Sequence, residues 1–139
     1  MKKDYKTLVL PEKYIPKKSE KYMSVEQKAY FYKILMSEKA ELETDLSTRI
    51  DRSHLAQKLD SIGAMDEGDA ATLAVETDFA IKLQERDRAQ LGNINTALQR
   101  LEDGTYGYSI VSGKEIGLKR LMVRPVAVMT IEEREATGE

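Results

Sequence analysis

Apolar residues recur at helical spacing in the first half of the chain, after a clear start signal. Residues 24–27, SVEQ, form a capping box, in which the Ser24 hydroxyl accepts a hydrogen bond from the Gln27 amide and the Gln27 side chain reaches back. The apolar positions that follow are Phe31, Leu35, Leu42, Leu46 and Ile50, continued more weakly by Leu55, Leu59 and Ile62. Because no Gly or Pro interrupts residues 24–62, the pattern predicts one helix on the order of 55 Å long.

A second helix is predicted after a short acidic turn. The segment 61–71, SIGAMDEGDAA, places Gly63 and Gly68 beside acidic residues, and Asp69 is expected to cap a helix over about residues 70–101. The apolar seam of that helix consists of Leu91, Ile94, Leu98 and Leu101, and upstream it meets Gln84, Asp87, Ala80 and Leu73. Two helices with narrow apolar faces and a short turn between them predict an antiparallel coiled-coil hairpin, ending at Gly104.

The pattern changes after residue 104. Side chains of β-type composition alternate in short pieces that glycines interrupt, and they include Tyr106, Tyr108, Ile110, Val126 and Val128. Residues 130–137 predict a terminal helix with Thr130 as its cap and Glu133 completing a second capping box. The predicted fold is therefore mostly α. It has a basic arm at 1–21, a long antiparallel hairpin at 22–104 with its tip at 63–71, and a small module at 105–139 with a C-terminal helix.

Composition narrows the classes of function. The chain has 139 residues, of which 33% are charged and 6% aromatic, which suits long helices with solvated faces better than one thick core. A net charge of -2 disfavours nucleic-acid binding as the main role. The arm carries seven lysines against three acidic residues, so it could meet an acidic surface or serve as a disordered solubility tail. Without a membrane-length apolar run or a signal-peptide pattern, we expect a cytoplasmic protein.

Four stretches of the chain resemble one known family. YMSVEQKAYFYKIL at 22–35, MDEGDAA at 65–71, RLEDGTYGYS at 100–109 and GKEIGLKRLMVRP at 113–125 are similar to the DksA/TraR family of bacterial transcription factors, over about residues 14–136. The resemblance implies a fold in which the small module is shaped like a zinc ribbon. It also implies that the protein binds RNA polymerase through the polymerase secondary channel.

The resemblance implies a module without its metal. Family members usually bind one Zn²⁺ with four cysteines, and these positions correspond here to Ser109, Ser112, Thr130 and Glu133 in a chain with no cysteine. Neutral hydroxyls are poor zinc ligands beside thiolates, so no zinc is expected. We hypothesise that the serine hydroxyls bind turn amides and Thr130 caps the last helix. A small apolar core would complete the module, made of Ile110, Ile116, Leu118, Leu121 and Val128. The lone His54 is expected to be an exposed helix residue.

The acidic turn matches the family's D-x-x-D-x-A tip at Asp66, Asp69 and Ala71. The resemblance implies that this tip reaches toward the polymerase catalytic centre. The alternative is that Asp69 is simply a helix cap and Asp66 a solvated turn residue.

Basic residues correspond to two further family sites. Arg86 is the best match to a residue that contacts the rim of the polymerase channel, although QERDR at 84–88 could equally be a solvated face with intrahelical ion pairs. The resemblance also implies binding of ppGpp, the nucleotide of the stringent response, at Arg124 and Arg134, with Lys119 and Arg120 adding positive charge. A position that is usually basic is Asn93 here.

Three functions follow for the chain. The first is a non-enzymatic regulator of transcription initiation that binds RNA polymerase and ppGpp, does not recognise specific DNA sequences, and is a monomer. The second is a transcript-cleavage factor of the Gre type, with the tip carboxylates helping to hold Mg²⁺. The third is a coiled-coil adaptor that no longer binds polymerase.

Overall fold

The structure is a computed structural model that describes residues 5–61, 63 and 66–138, without the side chains of Ala56 and Asp60. It contains the helices α1 (Val25–Ser61), α2 (Glu67–Asp103), α3 (Leu118–Val123) and α4 (Ile131–Ala136). The first two have 37 residues each. The prediction of two long helices, a short turn between them and a small module with a terminal helix is confirmed. Within the described ranges, no helix has both the length and the apolar composition needed to span a membrane.

The chain divides into two compact units. One unit, Lys39–Gly92, consists of the C-terminal part of α1, the N-terminal part of α2 and the turn between them. The other combines the chain up to Glu38 with the chain from Asn93 onward, and so contains the arm, the remaining parts of both long helices and the module.

In the unit Lys39–Gly92, the two helices contact each other through a seam that is only partly apolar. Leu46 is buried on α1, and Asp87 on α2 is 8% exposed. Asp87 forms an ion pair with Arg49 across the two helices. The predicted polar interruption of the seam at Asp87 is thus confirmed, and a cation from the partner helix compensates its charge.

The core of the second unit joins residues from both long helices and the module. Its most deeply buried side chains are Phe31, Leu35, Ile94, Leu101, Tyr106 and Leu121. The rings of Phe31 and Tyr106 have centroids 5.7 Å apart, and the Tyr106 hydroxyl donates to the Pro125 carbonyl at 2.7 Å. Aromatic rings from α1 and from the segment after α2 therefore hold the module against the base of the helices.

The predicted module core is correct in part. Ile116, Leu118 and Leu121 are buried, and Val128 is half-buried. Ile110 is 64% exposed, so its assignment to the core was wrong. Its amide donates to the Val128 carbonyl at 2.9 Å, and this turn directs the side chain outward. Among the described residues of the module, β pairing is limited to one isolated antiparallel bridge, between Tyr108 and Glu115.

The start of α1 confirms its predicted cap with one difference. The Ser24 hydroxyl accepts from the Gln27 amide at 3.4 Å. The Gln27 side chain accepts from the Met23 amide at 2.9 Å rather than from the Ser24 amide, because Met23 has a left-handed backbone with φ of 54°. The fully buried Gln27 also donates to the Lys17 carbonyl at 3.2 Å, so this start is bound to the arm.

Tyr22, which lies between the arm and α1, binds the module. The Tyr22 hydroxyl donates to the Gly107 carbonyl at 2.6 Å and accepts from the Gly117 amide at 3.1 Å. Further along the arm, Lys6 forms an ion pair with Glu102 at 2.8 Å. A Cβ at Gly107 would lie 3.0 Å from the Tyr22 hydroxyl, so the close approach requires glycine there.

Candidate functional site

The acidic turn presents carboxylates at the first turn of α2. The Asp66 carboxylate accepts from the Asp69 amide at 2.8 Å, so Asp66 is the helix cap. The prediction that Asp69 caps the helix was wrong. The helix begins at Glu67, three residues earlier than expected, and Asp69 lies inside its first turn.

The tip residues are accessible. Asp66, Asp69 and Ala71 are all exposed, and the two carboxylates add negative charge at the positive end of the α2 dipole. Ile62, Ala64 and Met65, which belong to the predicted tip region 61–71, lie outside the described residues. His54 is exposed on α1, as predicted.

The segment at 84–88 on α2 does not have the charge arrangement expected if its acidic and basic residues formed ion pairs within the helix. Arg86 and Arg88 are exposed, while Asp87 points to Arg49 of α1. Because Asp87 is paired across the hairpin, the exposed face of this segment presents two arginines beside Glu85. This leaves a basic surface for an acidic partner.

Three arginines converge on a cavity of about 230 Å³ in the second unit. Arg120 comes from α3, Arg124 follows α3 directly, and Arg134 comes from α4. The backbone of the segment between α3 and α4 forms the wall, and the Arg120 Nε donates to the Met129 carbonyl at 2.9 Å. Among the described residues lining the cavity, none is acidic. Converging guanidinium groups of this kind suit a phosphate-type anion.

Most of the predicted basic residues line the cavity, and so does one polar residue that was not predicted. Arg120, Arg124 and Arg134 line it together with Asn93, whereas Lys119 is exposed and does not line it. The sequence reasoning missed Thr96. The available signal was spacing, because Asn93 and Thr96 are three residues apart and share one face of α2.

The four positions that correspond to zinc ligands form two local groups of hydrogen bonds, one at residues 109–114 and one at residues 130–133. The Ser109 Oγ accepts from the Val111 and Ser112 amides at 3.0 and 3.3 Å, and the Ser112 Oγ accepts from the Lys114 amide at 3.4 Å. Thr130 and Glu133 form a complete capping box at the start of α4. The predicted roles of the serines and of Thr130 are therefore confirmed.

The pKa of the Glu133 carboxylate is lowered. Hydrogen bonds from the Ser109 hydroxyl and the Thr130 amide, with smaller contributions from the Ser112 and Thr130 hydroxyls, lower the pKa of Glu133 from 4.5 to about 2. This carboxylate is ionised at neutral pH. The sequence alone indicated only its capping role.

The donor set does not fit a zinc ion. Three hydroxyls and one carboxylate lack the thiolate or imidazole groups that bind Zn²⁺ in structural sites, and the hydroxyl oxygens of Ser109 and Thr130 already accept backbone hydrogen bonds. Across the described part of the chain, no group of three or more His, Cys, Asp or Glu side chains could hold a metal ion.

Known proteins that are similar to the chain share one name. The RNA polymerase-binding transcription factor DksA of Caulobacter vibrioides is 39% identical over 131 residues, which is 91% of this chain and 88% of that protein. The DksA protein of Escherichia coli K12 is 32% identical over 123 residues, covering 87% and 78% of the two chains. No protein-family model matches the sequence.

A solved structure agrees with these sequence matches. The transcription factor DksA2 from Pseudomonas aeruginosa superimposes with a TM-score of 0.75 at 30% identity, covering 84% of this chain and 87% of that one. The sequence matches and the structural match agree over most of the chain. The chain belongs to the DksA family of transcription factors.

Proposed function

We propose that the chain binds bacterial RNA polymerase and regulates the initiation of transcription without being an enzyme itself. The observation that carries this proposal is the 39% identity, over 91% of the chain, to a protein named for binding RNA polymerase. The exposed carboxylates at the start of α2 and the three-arginine cavity give that activity two candidate sites.

The hairpin would enter the secondary channel and bring Asp66 and Asp69 near the catalytic centre. Asp66 fixes the first turn of α2 through the Asp69 amide, so the Asp69 carboxylate extends from an ordered helix turn. A carboxylate in that place would accept hydrogen bonds from basic or amide groups of the polymerase and favour one of its conformations. Arg86 and Arg88 would contact acidic side chains at the channel rim.

The arginine cavity would bind ppGpp together with the polymerase. Arg124 and Arg134 would contact the phosphates, while Arg120, held by the Met129 carbonyl, would add positive charge. Asn93 provides an amide rather than a cation at this cavity. Arg124→Ala is therefore expected to reduce the ppGpp response.

In vitro transcription at a stable-RNA promoter tests the tip. Replacing both carboxylates, Asp66→Asn with Asp69→Asn, keeps the cap because Asn caps as well as Asp. Each lost charge-assisted hydrogen bond is worth about 1.5–3 kcal/mol, so regulation should weaken by about tenfold or more. The control is Glu43→Gln with Glu76→Gln, which removes the same charge from exposed positions of the same unit. Equal regulation by the tip variant and wild type would refute the role of the carboxylates.

The same protein preparations discriminate the other two functions. A cleavage factor would release 3′ fragments from stalled elongation complexes, whereas a regulator of initiation would release none, and we expect none. An adaptor would fail to co-purify with core polymerase, whereas we expect co-purification.

A further inference from the structure

Large apolar side chains are exposed in one part of the unit Lys39–Gly92. Among the described residues of that unit they occur at 55–59 on α1 and at 75–81 on α2, close to the tip, and at no position further from it. Two of them, Val75 and Phe79, are 71% and 63% exposed. The solvated face of a helix is normally polar, so exposed apolar residues that cluster in this way indicate a surface that a partner covers.

Val75 and Phe79 belong to a stripe that runs along one face of α2. The stripe consists of Ala71, Val75, Phe79, Lys82 and Arg86, all of which are exposed. These residues follow one another at steps of three or four, so at about 100° per residue they lie within a sector of about 80°. With a rise of about 1.5 Å per residue, the α2 stripe is about 22 Å long.

The middle of the α2 stripe is apolar in character. Val75 and Phe79 are one helical turn apart, so their side chains are neighbours on the helix surface. Lys82 forms an ion pair with Asp78 at 3.1 Å within the same helix, which compensates its charge. An aromatic residue beside an aliphatic one, with charged groups further out, is typical of the centre and rim of a protein interface.

The two ends of the α2 stripe are places where the proposed function brings polymerase into contact with the chain. Ala71 belongs to the tip, and Arg86 belongs to the contact with the channel rim. A partner that contacts both ends of one helix face also covers the residues between them. Two apolar side chains bury far less than the roughly 1,200–2,000 Å² of a stable interface, so the stripe requires a partner that also binds its surroundings.

We infer that the α2 stripe is an apolar docking face for RNA polymerase, with Phe79 as the residue that anchors it to an apolar patch on the wall of the polymerase channel. This inference rests on the proposed function, because it takes polymerase as the partner. It adds a contact of a different physical kind. Salt screens the charges of the tip and of Arg86, whereas the burial of Val75 and Phe79 does not depend on charge.

Phe79→Ala is the decisive variant. Alanine has the highest helix propensity, so the helix should remain intact at this exposed position. Because an aromatic anchor is no longer buried, the full-length protein should bind core polymerase less tightly by about tenfold or more. The matched control is Ile81→Ala, which shortens an exposed apolar residue of the same helix that points about 160° away from Phe79. Its affinity should equal that of wild type.

The salt dependence of binding distinguishes apolar docking from an indirect effect on the charged contacts. Phe79→Ala should lower the affinity by the same factor at low and at physiological salt. Arg86→Gln should have a smaller effect at the higher salt concentration, because the contact that it removes is electrostatic. A loss in Phe79→Ala that shrinks with salt as it does in Arg86→Gln would contradict apolar docking, and so would an equal loss in Ile81→Ala.

The outcomes separate this inference from the proposed function. If wild type fails to bind core polymerase, the proposed function is refuted and the docking face with it. If wild type binds and Phe79→Ala binds equally well, only the docking face is refuted. A second copy of the chain as the occupant would give a dimer in sedimentation equilibrium that Phe79→Ala dissociates, and this result also overturns the inference.

Two further variants guard against a defect in folding. Phe79→Leu keeps a large apolar side chain and should recover most of the affinity that Phe79→Ala loses. Should Phe79→Ala unfold at a lower urea concentration than wild type, Val75→Ala on the same stripe decides in its place. We expect it to bind polymerase about threefold less tightly than wild type, and an unchanged affinity would overturn the inference.

Discussion

At the scale of single residues, saturated hydrogen-bonding groups explain much of the module. The Ser109 hydroxyl accepts from two backbone amides, and Tyr22 both donates and accepts between two glycines. Tyr106 is 2% exposed and directs its hydroxyl to the Pro125 carbonyl. Burial raises the pKa of Tyr106 strongly above 10. The contacts of Tyr22 and Tyr106 join residues far apart in the sequence, so no local pattern predicts them.

Tyr106 gives a prediction for alkaline pH. The pKa of Tyr106 is raised in the folded protein. The neutral phenol therefore contributes its full stability below about pH 10, the ordinary pKa of tyrosine, and this contribution is lost as the pH rises above that value. Urea unfolding should show that wild type loses stability as the pH rises above about 10, because tyrosines of the unfolded chain ionise with the ordinary pKa of about 10. Tyr106→Phe should be less stable at neutral pH by about 1 kcal/mol and show a smaller alkaline loss. Tyr32→Phe, at a half-buried position, is the control. A parallel pH dependence in wild type and Tyr106→Phe would contradict the prediction.

At the scale of elements, the sequence predicts that a helix exists more accurately than it predicts the residue at which the helix begins. The capping motifs at Ser24 and Thr130 locate the starts of α1 and α4 because a side-chain acceptor and its amide are three residues apart. The start of α2 was missed because Asp66 and Asp69 both suit a cap, and Gly68 disfavours a helix that would include it. In the structure Asp66 is the cap, and Gly68 is helical.

Gly68 and Gly63 form a matched pair for testing the turn. A Cβ at Gly68 would meet only the Asp66 carboxylate, at an ordinary 3.5 Å, so Gly68→Ala should stabilise the protein by about 0.5–1 kcal/mol. Gly63 has a left-handed backbone with φ of 67°, so Gly63→Ala should destabilise it by about 1 kcal/mol. Urea unfolding of the two variants measures both signs. The helical assignment of Gly68 would be wrong if Gly68→Ala were the less stable of the two.

For the candidate sites too, some features can be predicted from the sequence and others cannot. The resemblance identified Arg120, Arg124 and Arg134, and the structure brings all three to one cavity. It could not separate Lys119 from Arg120, since consecutive helical residues point about 100° apart and only the packing of α3 decides which one faces the cavity.

At the scale of the whole molecule, the absence of cysteine affects how the protein should respond to oxidation and to loss of zinc. The module is held by aromatic packing, by Tyr22 between the arm and α1, and by the capping box of Thr130 and Glu133, and these contacts contain no oxidisable thiol. A family member with this construction should regulate transcription under conditions that remove zinc or oxidise thiols.

Metal removal tests this expectation. The melting temperature in a zinc chelator should stay within about 1 °C of its value in buffer, because no folding free energy comes from a bound ion. Metal analysis of the purified protein should find far less than one zinc per chain, and peroxide treatment should leave polymerase binding unchanged. Stoichiometric zinc, or a large drop in melting temperature with chelator, would contradict the expectation. The quadruple variant Ser109→Cys, Ser112→Cys, Thr130→Cys and Glu133→Cys is the positive control.

The ion pair between Arg49 and Asp87 has a consequence for how the two helices are aligned. Sliding one helix along the other by a turn would leave the largely buried Asp87 without its cation, which destabilises the slipped arrangement. A purely leucine seam would tolerate such a slip far more easily. The pair therefore selects a single register for the hairpin, and a single register fixes how far Asp66 and Asp69 project beyond the paired region.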